Sequence, residues 1–371
     1  MPETTLPSPR RHRAPARWRR LAVLLACTLL SVPAPAFAGQ HGAGGGDGSD
    51  ANPVGRIVEF AVPTEGANPA GITGGPDGNV WFTIQAPVNK IGRITPHGKI
   101  KEFPLPHPEQ FADDITSGAD GNLWFTEPGY NHVARITPEG KVTEFPLPQA
   151  DSFPFGITQG PDGNVWFTEN GGNRIGRITP RGRITEFPLP TPDSQPYRIT
   201  TGPDGNLWFT SPVTNKIGRI TPRGDVKEFA LPNPDGAPFN IAAGPDGNLW
   251  FTDGGGLANE IGRITPHGTV TRFTLPDVNS GPIGIAAGPD GNLWFAESNR
   301  NRIGRITPRG QVAEFPLPTP NPDNTPFHIA EGPDGNMWFT ELVGNKVGRV
   351  TVGHGHGHGH DGGHGHGDGK P

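Results

Sequence analysis

Seven tryptophans recur at a near-constant interval along this chain. Trp81, Trp124, Trp166, Trp208, Trp250, Trp294 and Trp338 are separated by 43, 42, 42, 42, 44 and 44 residues. Each sits in nearly the same decapeptide, of which Gly160-Pro161-Asp162-Gly163-Asn164-Val165-Trp166-Phe167-Thr168-Glu169 is one copy. A period of that length signals an array of supersecondary units, each burying its apolar face against the next. Trp18 lies outside the array, in a basic N-terminal segment.

One repeat reads as four strands. Gly156-Ile157-Thr158 opens it, and Pro161-Asp162-Gly163-Asn164 is a tight turn in which Pro fixes φ and Gly takes positive φ. Val165 to Thr168 is a second strand of bulky β-formers. Arg174 to Thr179 alternates polar and apolar residues, as a half-buried strand does. After the turn Thr179-Pro180-Arg181-Gly182, Ile184 to Pro190 forms a fourth strand whose prolines suit an edge. No stretch keeps a helical period. The reading is all-β: a seven-bladed β-propeller of four-stranded antiparallel blades.

The ends of the array predict how the ring closes. The last repeat stops at Lys346 to Thr351 and lacks its fourth strand, whereas Arg56 to Pro63 supplies such a strand with no repeat of its own. An N-terminal strand completing the last blade ties the ring shut and removes an exposed edge. Length alone would suggest two or three domains; the repeats make it one, over residues 52–352. The 56 glycines and 45 prolines are what so many tight turns require.

Residues 1–38 read as a signal peptide. Arg10, Arg11, Arg13, Arg17, Arg19 and Arg20 precede the apolar run Leu21 to Leu30, and Ala36-Phe37-Ala38 fits a cleavage site. That run is too short for a membrane span. Arg19-Arg20 leaves twin-arginine export open beside the general route, and Leu24-Leu25-Ala26-Cys27 leaves a lipoprotein site open. The expected location is therefore secreted, periplasmic or cell-envelope. Cleavage after Ala38 removes the one cysteine, six arginines and Glu3, leaving 25 basic against 35 acidic residues. Such an acidic balance gives no support to nucleic-acid binding. Residues 39–51 read as a Gly-rich linker. Residues 353–371 form a His/Gly-rich tail that cannot pack a core; its imidazoles could wrap Zn²⁺, Ni²⁺ or Cu²⁺, or the tail could be a solubilising spacer. The expected protein is a monomer without a membrane span.

The repeats differ in one place. Strand direction reverses at each hairpin, so the uniform Gly-Pro-Asp-Gly-Asn and Thr-Pro-x-Gly turns project from one face of the disc. The loops after Trp-Phe-Thr and the crossings between blades project from the other, and these vary; ligand recognition belongs there. Two positions per blade stand out on that varied face. Before the opening Ile lie Gly71, Asp114, Gly156, Arg198, Asn240, Gly284 and His328, each preceded by Ala70, Asp113, Phe155, Tyr197, Phe239, Ile283 or Phe327. If the opening strand is innermost, these ring the central channel, making Asp113, Asp114, Tyr197, Arg198, Asn240 and Phe327 candidate substrate-binding residues. The second position, closing Trp-Phe-x-x, reads Ile84, Glu127, Glu169, Ser211, Asp253, Glu297 and Glu341; such repeated acids most often bond neighbouring backbone. His97 and His267 occupy exposed turn slots, and His107 and His132 read as loop residues without partners. The repeated arginines (Arg93, Arg135, Arg177 and their counterparts) and the outer glutamates (Glu102, Glu144, Glu186 and theirs) read as cross-strand charge partners.

Runs such as Gly-Pro-Asp-Gly-Asn-Leu-Trp-Phe-Thr-Glu, Asn-Lys-Ile-Gly-Arg-Ile-Thr-Pro and Ile-Thr-Glu-Phe-Pro-Leu-Pro, in all seven repeats, resemble the virginiamycin B lyase (streptogramin B lyase) family. The resemblance implies a propeller that linearises cyclic depsipeptide antibiotics, and so antibiotic resistance, by Mg²⁺-assisted elimination at the ester. The family's Pro-His in the sixth repeat is Gly281-Pro282-Ile283 here. Its Glu-Pro-His-Gly-Ile in the seventh is Thr325-Pro326-Phe327-His328-Ile329. Its metal-binding Glu matches at Glu341. On this resemblance His328, one residue out of register, is the base, and Glu341 with Glu297 holds Mg²⁺. In a regular strand a shift of one residue turns a side chain to the opposite face, although bending at the strand mouth could redirect it. The rival reading is a non-catalytic propeller binding a peptide, glycan or protein of the envelope.

Overall fold

The computed structural model describes residues 53–254, 259–319 and 324–353. The expected signal peptide, the linker and all but the first residue of the His-rich tail lie outside these. Seven four-stranded antiparallel sheets follow one another around a ring. Blade 1 comprises Pro69–Gly74, Val80–Ile84, Lys90–Ile94 and Ile100–Pro104, paired in that order. Blades 2 to 6 repeat the pattern, and the helical content among the described residues is two single 3₁₀ turns, Pro212–Thr214 and Ser298–Arg300. Blade 7 closes as expected: Ile57–Ala61 pairs antiparallel with Lys346–Val350, from Ile57 opposite Val350 to Ala61 opposite Lys346.

The decapeptide explains itself physically. Asp162 accepts a hydrogen bond from the Trp166 indole at 3.0 Å, so the turn residue satisfies the polar edge of a fully buried ring. Gly160 must be glycine because a Cβ there would lie 2.3 Å from Trp166 Cδ1. Each tryptophan stacks on the phenylalanine of its blade's outer strand, as in Trp166–Phe187 at 5.4 Å. The apolar clusters combine side chains of adjacent blades; Trp166 and Ile175 pack with Leu207, Phe209 and Ile220. The core is therefore a set of inter-blade wedges, which is why no single repeat could fold alone.

The repeated arginines turn out to bond differently from the sequence expectation. Arg93 lies over Trp81, 5.5 Å from the ring centroid, and donates to Asp77 of its own blade and to the carbonyl of Pro138 in the next, both at 3.2 Å. Arg349 donates likewise to the carbonyl of Pro96 at 2.8 Å, carrying the chain of contacts across the closure. One guanidinium thus touches both uniform turn types, which places them on the same face. The outer glutamates take a different cation: Lys90 meets Glu102 at 2.6 Å and Lys216 meets Glu228 at 3.0 Å.

Candidate functional site

The innermost strands meet near the ring axis, and glycine sets how closely. A Cβ on Gly71 would lie 2.7 Å from the Asp113 carbonyl oxygen, one on Gly156 2.6 Å from that of Tyr197, and one on Gly284 2.5 Å from that of Phe327. Threonines in the second strands lock the same seam. Thr168 Oγ1 accepts from Gly156 N–H at 3.0 Å and donates to the Tyr197 carbonyl of the next blade at 2.9 Å. Thr83, Thr126, Thr210, Thr252 and Thr340 repeat the two bonds. Blade 6 has Ala296 instead.

On this frame three of the variable pairs, Asp113/Asp114, Tyr197/Arg198 and Phe327/His328, bring their side chains together. In blades 1, 3, 5, 6 and 7 the register slips between the opening proline and the isoleucine, as between Pro326 and Ile329. A bulge breaks the alternation of a strand. Phe327 and His328 accordingly stack in parallel, with ring centroids 4.6 Å apart and 6° between planes. Strict alternation is thus corrected here: adjacent residues share one side, and a one-residue displacement does not turn His328 away. The Arg198 guanidinium likewise lies over its neighbour Tyr197, 4.5 Å from the ring centroid.

A buried polar cluster spans the channel. Arg198 Nη1 of blade 4 lies 2.6 Å from Asp113 Oδ2 and 3.6 Å from Asp114 Oδ2 of blade 2. His328 Nδ1 of blade 7 lies 3.9 Å from Asp114 Oδ1. Burial pushes the Asp114 carboxyl up to about 6, against the pull of Arg198 and with the help of Asp113. Burial and then the Arg198 charge hold His328 well below its ordinary value, so the imidazole is neutral. Its Nε2 is buried with no hydrogen-bond partner. Around this cluster runs an apolar arc: Phe155, Tyr197 and Phe239 of successive blades lie 5.4 and 4.7 Å apart. Asn240 is half-buried beside it, its Oδ1 accepting from Ile241 N–H at 2.7 Å. Of the residues singled out from sequence, Asp113, Asp114, Tyr197, Arg198 and His328 are thus brought together, with Phe327 stacked on the histidine.

The second ring of positions lies elsewhere. Glu127, Glu169, Glu297 and Glu341 are fully buried between strands. Glu297 lies 3.5 Å from Arg302; burial, with Glu314 adding to it and Arg302 opposing, brings its carboxyl up to about 7. Burial raises Glu341 to about 8, with Glu59 adding to the effect and Lys346 opposing it. These carboxylates belong to the charge clusters of their own blades.

A family model described as the virginiamycin B lyase family matches residues 49–197 and 158–360. The chain belongs to the virginiamycin B lyase family. A streptogramin B lyase structure is 40% identical, with a TM-score of 0.75, over 80% of this chain and 97% of that one. Virginiamycin B lyase from Staphylococcus aureus is 42% identical at the same TM-score, over 80% and 99%. A catalytically inactive histidine-to-alanine variant of the Staphylococcus aureus enzyme, solved with quinupristin, is 41% identical, again at 0.75 and over 80% and 99%. Hydrazine synthase from Kuenenia stuttgartiensis, 17% identical with a TM-score of 0.66 over 79% and 98%, shares the fold alone. No curated protein sequence matches the chain.

The Mg²⁺ that family resemblance implies fits Glu341 and Glu297 poorly. Mg²⁺ keeps several waters and bridges protein carboxylate to substrate, whereas both carboxylates are closed off from solvent. Among the described residues, one set of three His, Asp or Glu side chains has its ligand atoms all within 4.8 Å of one another, and it is Glu127, His132 and Glu144. The reading of His132 as a loop residue without partners is overturned; His107 does lie in a loop, between strands, but it too has a partner. His132 opens the strand His132–Ile136, and His107 Nε2 lies 3.4 Å from Glu144. The missed signal was the match of both histidines to bonding positions in other blades.

Proposed function

We propose that this propeller takes a cyclic depsipeptide at the varied end of its channel and opens it by elimination at the ester, with His328 as the base. The observation that carries the reading is a neutral imidazole on the channel ring whose Nε2 has no partner. A general base needs a free lone pair at working pH and a path to the proton it removes. Nε2 has almost no exposure, so substrate entry has to displace part of the rim around it. In the step, Nε2 takes the proton from the carbon α to a carbonyl. The C–H pair becomes a carbon–carbon double bond, and the bond from the β carbon to the ester oxygen breaks, releasing a carboxylate. Arg198 is the cation of the cluster and would offset charge building on the carbonyl oxygen. The arc of Phe155, Tyr197 and Phe239 supplies an apolar wall suited to a ring peptide. No step is assigned to Glu341 or Glu297. We take the chain to be exported, from the basic segment and apolar run before residue 38.

The test is incubation of wild-type protein with a type B streptogramin, with and without Mg²⁺, followed by mass spectrometry. Elimination gives a linear, unsaturated product isomeric with the substrate, whereas hydrolysis adds one water. His328→Ala is expected to abolish turnover. No product from wild type at high protein concentration, or a product heavier by one water, overturns the proposal.

A further inference from the structure

Blade 2 breaks the charge pattern of its neighbours in a coordinated way. In blade 1, Thr64 donates to Glu102 and Lys90 donates to both, at 2.6 Å in each case. Blade 4 builds the same triad from Thr191, Lys216 and Glu228, and blade 7 from Thr319, Lys346 and Glu59. In each, a permanent cation at the start of the third strand neutralises the outer glutamate. Blade 2 keeps the glutamate, Glu144, but has His132 where the lysine stands and His107 where the threonine stands. Glu127 of the second strand lies directly opposite His132 in the pairing register; blade 7 has Glu341 at this position but sets Lys346 opposite it, so in blade 2 the acid faces an imidazole where blade 7 has an ammonium. A hydroxyl and an ammonium, both donors, have thus been replaced together by two imidazoles able to act as lone-pair ligands.

The resulting cluster lacks a cation. Glu127 is fully buried, and neither of its carboxylate oxygens has a hydrogen-bond partner. His132 Nδ1 and Glu144 Oε1 are also buried and unpartnered. A buried carboxylate without a counter-charge is costly. Burial, reinforced by Glu144, accordingly pushes Glu127 up to about 8, and burial keeps His132 below its ordinary value despite Glu144. The ligand atoms of Glu127, His132 and Glu144 already lie within 4.8 Å of one another. The His107 ring is 6.4 Å from that of His132 and packs on Tyr130 at 4.1 Å, with its Nε2 3.4 Å from Glu144.

We propose that blade 2 is a binding site for a divalent transition-metal ion, Zn²⁺ in first place, held by Glu127, His132 and Glu144 with His107 as the fourth ligand. Two imidazole nitrogens and two carboxylates suit the tetrahedral preference of Zn²⁺, whereas Mg²⁺ avoids imidazole. The ion would join three strands of blade 2 to the crossing from blade 1, replacing the lysine's role with a doubly charged centre.

The experiment measures Zn²⁺ binding to the full chain by calorimetry, and Tm with and without Zn²⁺, for wild type and His132→Lys. The lysine restores the residue of blades 1, 4 and 7, so the variant is expected to fold. The His-rich tail contributes equally to both proteins and cancels. Wild type is expected to bind one more equivalent than the variant and to gain Tm with Zn²⁺, since an ion bound only by the folded blade raises stability. Glu127→Gln is expected to weaken binding at least tenfold. Equal stoichiometry and equal Tm response in wild type and His132→Lys overturn the site.

Discussion

Arg198 reaches Asp113 across the channel at 2.6 Å, joining blade 4 to blade 2 over the side-chain-free Gly156 of the blade between. Both partners are almost fully buried, so the pair has given up its hydration. A buried ion pair adds little net stability, yet removing one partner strands the other charge. Asp113→Ala is therefore expected to cost about 3–5 kcal/mol, measured by chemical denaturation. Replacing Asp113 and Arg198 together by Leu and Met is expected to cost far less. A double-variant loss equal to the sum of the Asp113→Leu and Arg198→Met losses would show the pair is not coupled.

The threonine seam makes a second prediction, from the blade that lacks it. Ala296 is buried where the other blades have threonine, and the Phe327 carbonyl lies where the matching acceptor does elsewhere, against Gly284. Ala296→Thr would supply the two missing bonds. A net gain of about 1 kcal/mol per well-made bond is expected to raise Tm by roughly 2–4 °C. Thr168→Val removes both side-chain bonds but leaves Gly156 N–H donating to the Tyr197 carbonyl at 2.9 Å, so it is expected to lower stability by only about 1 kcal/mol.

Ring closure supplies a third. Ile57–Ala61 covers the strand Lys346–Val350, and Phe60 stacks on Trp338 at 5.6 Å. Deleting residues through Ala61 bares that edge, a template for pairing with another chain. The truncated protein is expected to elute as oligomers in size-exclusion chromatography; a stable monomer would show the closure to be dispensable.

Much of this architecture was legible because its causes are local. The Asp–Trp bond of the turn spans four residues, and the incomplete last repeat and its N-terminal complement can be matched by inspection. The channel ring was legible as positions but not as geometry. That Phe327 and His328 share a side depends on a register slip against the second strand, which strand periodicity cannot foresee. The cluster of His107, His132, Glu127 and Glu144 escaped for a related reason. Each histidine looks isolated along the chain, and only the contacts of the equivalent Thr64 and Lys90 reveal what that position touches.

The buried glutamates predict how stability responds to pH. Glu341 is raised from an ordinary 4.5 to about 8, and Glu297 to about 7. The folded state thus holds these protons more tightly than the unfolded chain does. Their stabilising contribution is complete below the unfolded value and is lost as pH rises through 7 to 8. The turn aspartates behave oppositely. Burial pushes Asp77 upward, but hydrogen bonds from Trp81 and Asn79 outweigh it and hold the carboxyl below its ordinary 3.8. Its contribution is present above that value and lost as pH falls. Tm is therefore expected to peak between about pH 4.5 and 6 and to decline toward pH 8, each tenfold difference in proton affinity being worth about 1.4 kcal/mol. Glu341→Gln keeps the shape but cannot ionise. It is expected to match wild type near pH 5 and to melt several degrees higher at pH 8, a crossing that scanning calorimetry at the two pH values would detect. Parallel profiles for the two proteins would mean that the carboxyl of Glu341 already ionises freely in the fold.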